Sequence, residues 1–209
     1  MTQDPPIRNI SDTARWTAMH RALESERPDA LFRDPLARRL AGERGAQIVR
    51  DLPPTGEWAW ALRTHLIDRA ILAAIEGGCD TVINLAAGLD TRPYRLALPE
   101  ALHWVEVDLP DILDEKERTL RSERPACRLE RIKLDLASLA ERRQLFARLG
   151  KGAAKALVVT EGLLIYLERD DVVSLARDLA GPATFVSWVL DLASPGLVSM
   201  IQRQWGSRL

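Results

Sequence analysis

Cysteine is scarce: Cys79 and Cys127 are the only two in 209 residues. That excludes a disulfide framework and a four-cysteine zinc site. The three histidines, His20, His65 and His103, are scattered without metal-ligand spacing, so no metal is expected. Aromatic residues are 5% of the chain, and Lys+Arg at 29 against Asp+Glu at 30 leave a net charge of −1. No basic stripe interleaves with the aromatics, so nothing supports a nucleic-acid partner. Lysine occurs only at positions 116, 133, 151 and 155, and the remaining cations are arginines. No apolar run approaches the roughly 18 residues of a membrane span. The polar start, MTQDPPIRNISD, lacks the apolar run of a secretory signal. A cytoplasmic protein without a membrane partner is the expectation.

What is present suits a globular α/β chain. Hydrophobic residues are 46% and charged residues 28%, the balance of a domain with an apolar core. Residues 1–78 show no strand and predict a helical N-terminal extension. Ser11 is a candidate cap for a helix through about Arg27, stopped at Pro28. Pro35 opens a short helix to Leu40 or Ala41. Glu57–Ile75 is the longest helix, with Leu62, Leu66, Ala70 and Ala73 on one face, ended by Gly77-Gly78.

Residues 79–209 alternate strand and helix. The strands are Thr81–Leu85, His103–Asp108, Arg128–Leu134, Ala156–Thr160 and Ala183–Leu190. Pro110 starts a charged helix. A second helix carries Leu139, Phe146 and Leu149 on one side, and a third, capped by Asp170 or Asp171, runs to Leu179. Strands alternating with helices of this length imply parallel pairing through right-handed crossovers. The fold class is α/β: a doubly wound, mostly parallel sheet forming one compact unit with the extension.

In such sheets ligands bind beyond the carboxyl ends of the strands, where strand order reverses. The first strand exits into Ala86-Ala87-Gly88, small residues that allow close backbone approach. Asp108 ends the second strand 20 residues after Gly88 (108 − 88), the separation of an acid that accepts ribose hydroxyls. A tight turn at Gly88 and a helix cap at Asp108 are the plain structural alternatives. A dinucleotide wants free amide donors and spaced glycines around its pyrophosphate. This loop offers one glycine and then Asp90, whose charge opposes phosphate. A cationic or zwitterionic ligand such as S-adenosylmethionine fits better than NAD.

The ordered strings NLAAGLDTRPYRL, EVDLPDILDEK, KLDL and VVTEGLLIYL resemble the leucine carboxyl methyltransferase-like family and its bacterial branch, and the resemblance covers about residues 10–195. The resemblance implies a Rossmann-like class I methyltransferase fold with S-adenosylmethionine as cofactor and S-adenosylhomocysteine as product. It places Arg63, in ALRTHLID, on the cofactor's carboxylate, where a guanidinium fork pairs better than a lysine. It places Asp108 on the ribose and Asp135 with Leu136 beside the adenine. Ala86, Gly88 and Asp90 are the candidate cofactor-binding residues of the first strand's exit, Ala86 beside the methionine moiety. Glu161, also near the cofactor's amino-acid end, and Tyr166 are the candidate catalytic residues.

Two departures stand out. The family has glycine where this chain has Ala86. A methyl group costs little there if φ is negative, although it narrows the approach. The family also continues past the fifth strand, so its final strands are expected to be missing and the fifth strand to be an uncovered edge.

The implied reaction is O-methylation of a carboxylate or hydroxyl on a small molecule or peptide. A carboxylate acceptor needs no general base; a hydroxyl needs one, and Glu161 is the candidate. The alternative is an impaired cofactor-binding module or a partner-dependent subunit, with a homodimer covering the sheet edge as the arrangement that restores the enzyme. An NAD-dependent oxidoreductase is the third reading. Trp58 and Trp60 either roof an acceptor pocket or pack the helical cap onto the sheet.

Overall fold

The computed structural model describes residues 6–52, 56–194, 196 and 199. Five parallel strands form one sheet: β1 (Thr81–Leu85), β2 (His103–Asp108), β3 (Arg128–Lys133), β4 (Ala156–Thr160) and β5 (Phe185–Leu190), in the order β3-β2-β1-β4-β5. The order reverses between β1 and β4, which puts a ligand crevice at their carboxyl ends.

Side-chain alternation assigns the two faces. Val82 pairs with Trp104 and Leu157, while Ile83 pairs with Val105 and Val158. The first set packs against Ile67 and Ile71 of α3 (Glu57–Glu76). The second packs against Phe146 and Leu149 of α6 (Leu139–Gly152) and Leu175 of α7 (Arg169–Leu179). Both faces are therefore covered at the centre of the sheet, which is why β1 and β4 read as mostly apolar runs. A third cluster joins α1 (Ile10–Glu26) and α2 (Ala37–Asp51) to Leu113 and Leu120 of α5 (Pro110–Leu120). The helical extension is thus fastened to the sheet domain by shared core.

Several local expectations are corrected. The cap of α1 is Asn9, whose side chain accepts the Asp12 amide; Ser11 lies inside the first turn. The short helix expected after Pro35 breaks at Gly42, with φ 58°, and resumes to Asp51. Gly45 lets α2 lie against α1: a Cβ there would come within 2.8 Å of the Arg15 carbonyl oxygen. On α3 the expected apolar face is the outer one. Leu62, Leu66 and Ala73 are exposed, whereas Ala61, Thr64, Ile67, Asp68 and Ile71 are buried. The inner stripe carries Asp68 because its carboxylate meets the buried Arg92 and Arg95. On α6, Leu139 is exposed, and Leu145 joins Phe146 and Leu149 inside. β3 stops at Lys133 and β5 starts at Phe185. Two short elements escaped the sequence pattern, α4 (Arg92–Arg95) and a 3-10 turn at Leu164–Tyr166.

Among the described residues no helix is long and apolar enough to cross a membrane, and no group of histidine, cysteine and acidic side chains is arranged to hold a metal.

Candidate functional site

The exits of β1 and β4 meet around one charged network, and the exit of β2 closes onto the β1 turn. The β1 exit turns sharply: Ala86 has φ 54° and Gly88 φ 47°. Ala86 therefore sits in left-handed backbone, a conformation that favours glycine and costs a Cβ-bearing residue roughly 1–2 kcal/mol. The condition under which the methyl group would cost little, a negative φ, is not met.

Asp108 closes the turn. Its Oδ2 accepts the Gly88 amide at 2.6 Å and its Oδ1 accepts the Leu109 amide at 2.7 Å. Burial pushes this carboxyl up, against the lowering effect of those two bonds. Each oxygen keeps a second lone pair for a further donor. The glycine amide is committed to a carboxylate, so it is not free to hold a phosphate.

Asp90 turns inward. Its Oδ2 accepts Asn84 Nδ2 at 2.8 Å and Arg92 Nη1 at 2.9 Å, and its Oδ1 accepts the Arg92 amide at 2.9 Å. Burial would raise this carboxyl, but Arg92, Lys116 and Arg21 hold it far below its ordinary value. The side chain braces the loop, and the expected free negative charge is largely answered by Arg92.

Arg92 is the hub and is only 2% exposed. Its Nε donates to Asp68 Oδ1 at 2.6 Å, and its Nη1 donates to Asp90 and, at 2.7 Å, to Glu161 Oε2. Arg95 adds a fork onto Asp68, at 2.7 and 2.8 Å. α3, the β1 exit and the β4 exit are thereby tied by side chains far apart in sequence.

Glu161 follows β4. Its Oε1 accepts Arg63 Nε at 3.0 Å. Burial raises its carboxyl, yet Arg92 and Arg63 bring it down to about 2. A carboxylate so well paired is a weak proton acceptor near neutrality.

Arg63 also donates from Nη1 to Asp191 Oδ2 at 2.8 Å and lies over the Trp60 ring, 4.8 Å from its centroid. Trp60 in turn packs edge-on against Trp16 at 4.9 Å. Trp60 therefore joins the cap to the site, whereas Trp58 is 71% exposed. Asp191 Oδ1 accepts the Gly162 amide at 2.7 Å. Tyr166 stands in the 3-10 turn beyond Gly162; burial pushes its phenol up, partly offset by a hydrogen bond with Thr13 and the charge of Arg63.

Asp135 lies apart from this network and is exposed. Its Oδ1 accepts the Ala137 amide at 2.9 Å, holding the turn before α6, whose cap is Ser138. Leu136 next to it is half-buried against the core.

The structure thus gathers Arg63, Ala86, Gly88, Asp90, Asp108, Glu161 and Tyr166 around the strand exits, with Asp135 and Leu136 beyond β3. Sequence reading missed Arg92, Asp68, Arg95 and Asp191. One signal was available: Thr64 and Asp68 interrupt the inner face of α3, and TRPYR supplies two arginines just after the β1 exit.

Comparison with known proteins follows this geometry. A family model described as leucine carboxyl methyltransferase matches residues 14–180. Two relatives, from Streptomyces coelicolor and Streptomyces avermitilis, are each 36% identical over 198 residues, covering 89% of this chain and 70% of theirs. Another, from Parafrankia, is 35% identical over 182 residues, covering 81% of this chain and 58% of its own length. All three are provisionally named S-adenosyl-L-methionine-dependent methyltransferases. A crystal structure of a DUF574 family protein from Streptomyces avermitilis superposes with TM-score 0.61 at 20% identity, covering 94% of this chain and 75% of that one. That likeness supports the fold.

Proposed function

The chain belongs to the leucine carboxyl methyltransferase family, and from that premise we propose that it is an O-methyltransferase acting on a carboxylate of a small molecule or peptide. S-adenosylmethionine is the methyl donor; bound, it supplies a methyl carbon activated by a sulfonium, and S-adenosylhomocysteine is the product.

The residues present fit this cofactor. Asp108 offers acceptor capacity to ribose hydroxyls. The Arg63 guanidinium suits the methionine carboxylate, with Glu161 beside it, and Asp135 with the half-buried Leu136 suits the adenine. Nothing at the β1 exit suits a pyrophosphate, because the Gly88 amide is spent on Asp108. That disfavours a nicotinamide dinucleotide.

The observation that favours a carboxylate acceptor is the pairing of Glu161 with the guanidinium groups of Arg63 and Arg92. A hydroxyl acceptor needs a base, and Glu161, held at about 2 by two guanidinium groups, is poorly matched to that task. A carboxylate acceptor is already ionised and needs only alignment. Glu161 therefore anchors Arg63 and Arg92 instead of moving a proton. Tyr166, its phenol pushed up and so protonated at neutrality, donates a hydrogen bond to the acceptor carboxylate. Alignment of this kind contributes roughly 7–11 kcal/mol in favourable cases.

The test is transfer of labelled methyl from S-adenosylmethionine to a panel of carboxylic acids, carboxyl-terminal peptides and phenols. Carboxyl methyl esters release methanol in mild alkali; methyl ethers do not. Base-labile label is the expected product, and Tyr166→Phe is expected to slow its formation about tenfold without altering S-adenosylhomocysteine affinity. Base-stable product alone, or cofactor binding with no transfer to any acceptor, overturns the reading. Two copies pairing along β5, an outer strand of the sheet, form the assembly we propose for the working enzyme; a monomer by light scattering at assay concentration contradicts that.

A further inference from the structure

Asp191 follows directly on β5 and belongs to none of the motifs that carried the cofactor assignments. Its carboxylate is bound on both sides. Oδ2 accepts Arg63 Nη1 at 2.8 Å, and Oδ1 accepts the Gly162 amide at 2.7 Å. One guanidinium N–H and one backbone N–H, each meeting a separate oxygen, make a two-point cradle for a carboxylate. Gly162 presents its amide from left-handed backbone, φ 70°, and a Cβ there would stand 3.7 Å from Arg63 Nη1. The local backbone is thus shaped to bring an amide beside the guanidinium.

The two acids on Arg63 are not equivalent. Glu161 is also clamped by Arg92, which fixes its position. Asp191 is the more exposed of the pair, 25% against 17% for the side chains.

We infer that Asp191 is an internal mimic of the ligand's carboxylate, competing with the methionine end of the cofactor for Arg63 and Gly162. Cofactor loading then requires the Asp191 side chain to leave Arg63, and the strength of that ion pair sets part of the cofactor's apparent affinity. The inference rests on the assignment of Arg63 to the cofactor carboxylate.

The experiment compares two probes on the full chain by calorimetry. S-adenosylhomocysteine carries the amino-acid end; 5′-deoxy-5′-methylthioadenosine has the same nucleoside and thioether without it. Asp191→Asn keeps an acceptor for Gly162 and removes the negative charge that Arg63 faces. It is expected to tighten S-adenosylhomocysteine by up to about fivefold, the fold-change of releasing a partly exposed ion pair, and to leave methylthioadenosine unchanged. Unchanged or weaker S-adenosylhomocysteine binding overturns the inference, as does equal tightening of both probes. Asp191→Ser, which also removes the charge, repeats the measurement if the asparagine variant melts early. Arg63→Ala separates the two layers. If it leaves S-adenosylhomocysteine affinity intact, the Arg63 assignment itself fails; if it weakens that probe alone while Asp191→Asn tightens nothing, only the competition fails.

Discussion

Replacing Arg92 with glutamine removes the cation that holds three carboxylates, Asp68, Asp90 and Glu161, at the strand exits. Breaking a buried pair by removing one partner costs about 3–5 kcal/mol. Glu161 gives an independent scale: its fall from the ordinary 4.5 to about 2 corresponds to about 3 kcal/mol, shared between Arg92 and Arg63. In a domain of this size about 3–5 kcal/mol lowers Tm by roughly 10 °C. The pH dependence carries the sharper signature. A carboxyl depressed in the folded state contributes its full stability above its unfolded value, near 4.5 for Glu161, and loses it as pH falls through the folded value, about 2. Arg92→Gln should therefore cost most at pH 5–7, and its deficit should shrink below pH 4.5 as the orphaned acids protonate. Urea unfolding of both proteins across pH 3–7 measures this. A deficit under about 1 kcal/mol at pH 7, or one that grows on acidification, would refute the argument that Arg92 holds the site together through charge.

Ala86→Gly should raise stability by about 1 kcal/mol by relieving the left-handed conformation at φ 54°; an unchanged or lower melting temperature contradicts the strain. Asp108→Asn should weaken S-adenosylhomocysteine and methylthioadenosine alike, by about tenfold, since both carry the ribose. Loss confined to S-adenosylhomocysteine would place Asp108 at the wrong end of the ligand.

The centre of the sheet was legible because β1 and β4 are buried along their whole length, whereas β3 and β5 are partly exposed. β1 and β4 stand out as short, mostly apolar runs bounded by turn residues, β2 as the β-branched and aromatic core of HWVEVD, and the limits of all three match the structure. α3 was legible as a helix but not in its orientation. A hydrophobic stripe assumes that the inner face is apolar, whereas Thr64 and Asp68 are buried, Asp68 paired with Arg92, and Leu62 and Leu66 face out. The resumed half of α2 was hidden by Gly42 and Gly45, which weaken helix propensity yet here serve a break and a close approach. The strand-exit motifs gave one side of the candidate site. They could not find Asp191, because its pairing with Arg63 spans 128 positions and only the crossing from β4 to β5 brings the two together. Nor could they show that Asp90 and Glu161 are answered by arginine, which changes both from free charges into anchors.

The most direct test of the central claim is titration of S-adenosylhomocysteine into the full chain. The account predicts saturable binding at one site per chain, weakened in Arg63→Ala and Asp108→Asn, with no binding of NAD. Absence of S-adenosylhomocysteine binding at millimolar concentration by the folded protein, or saturable NAD binding in its place, would contradict it.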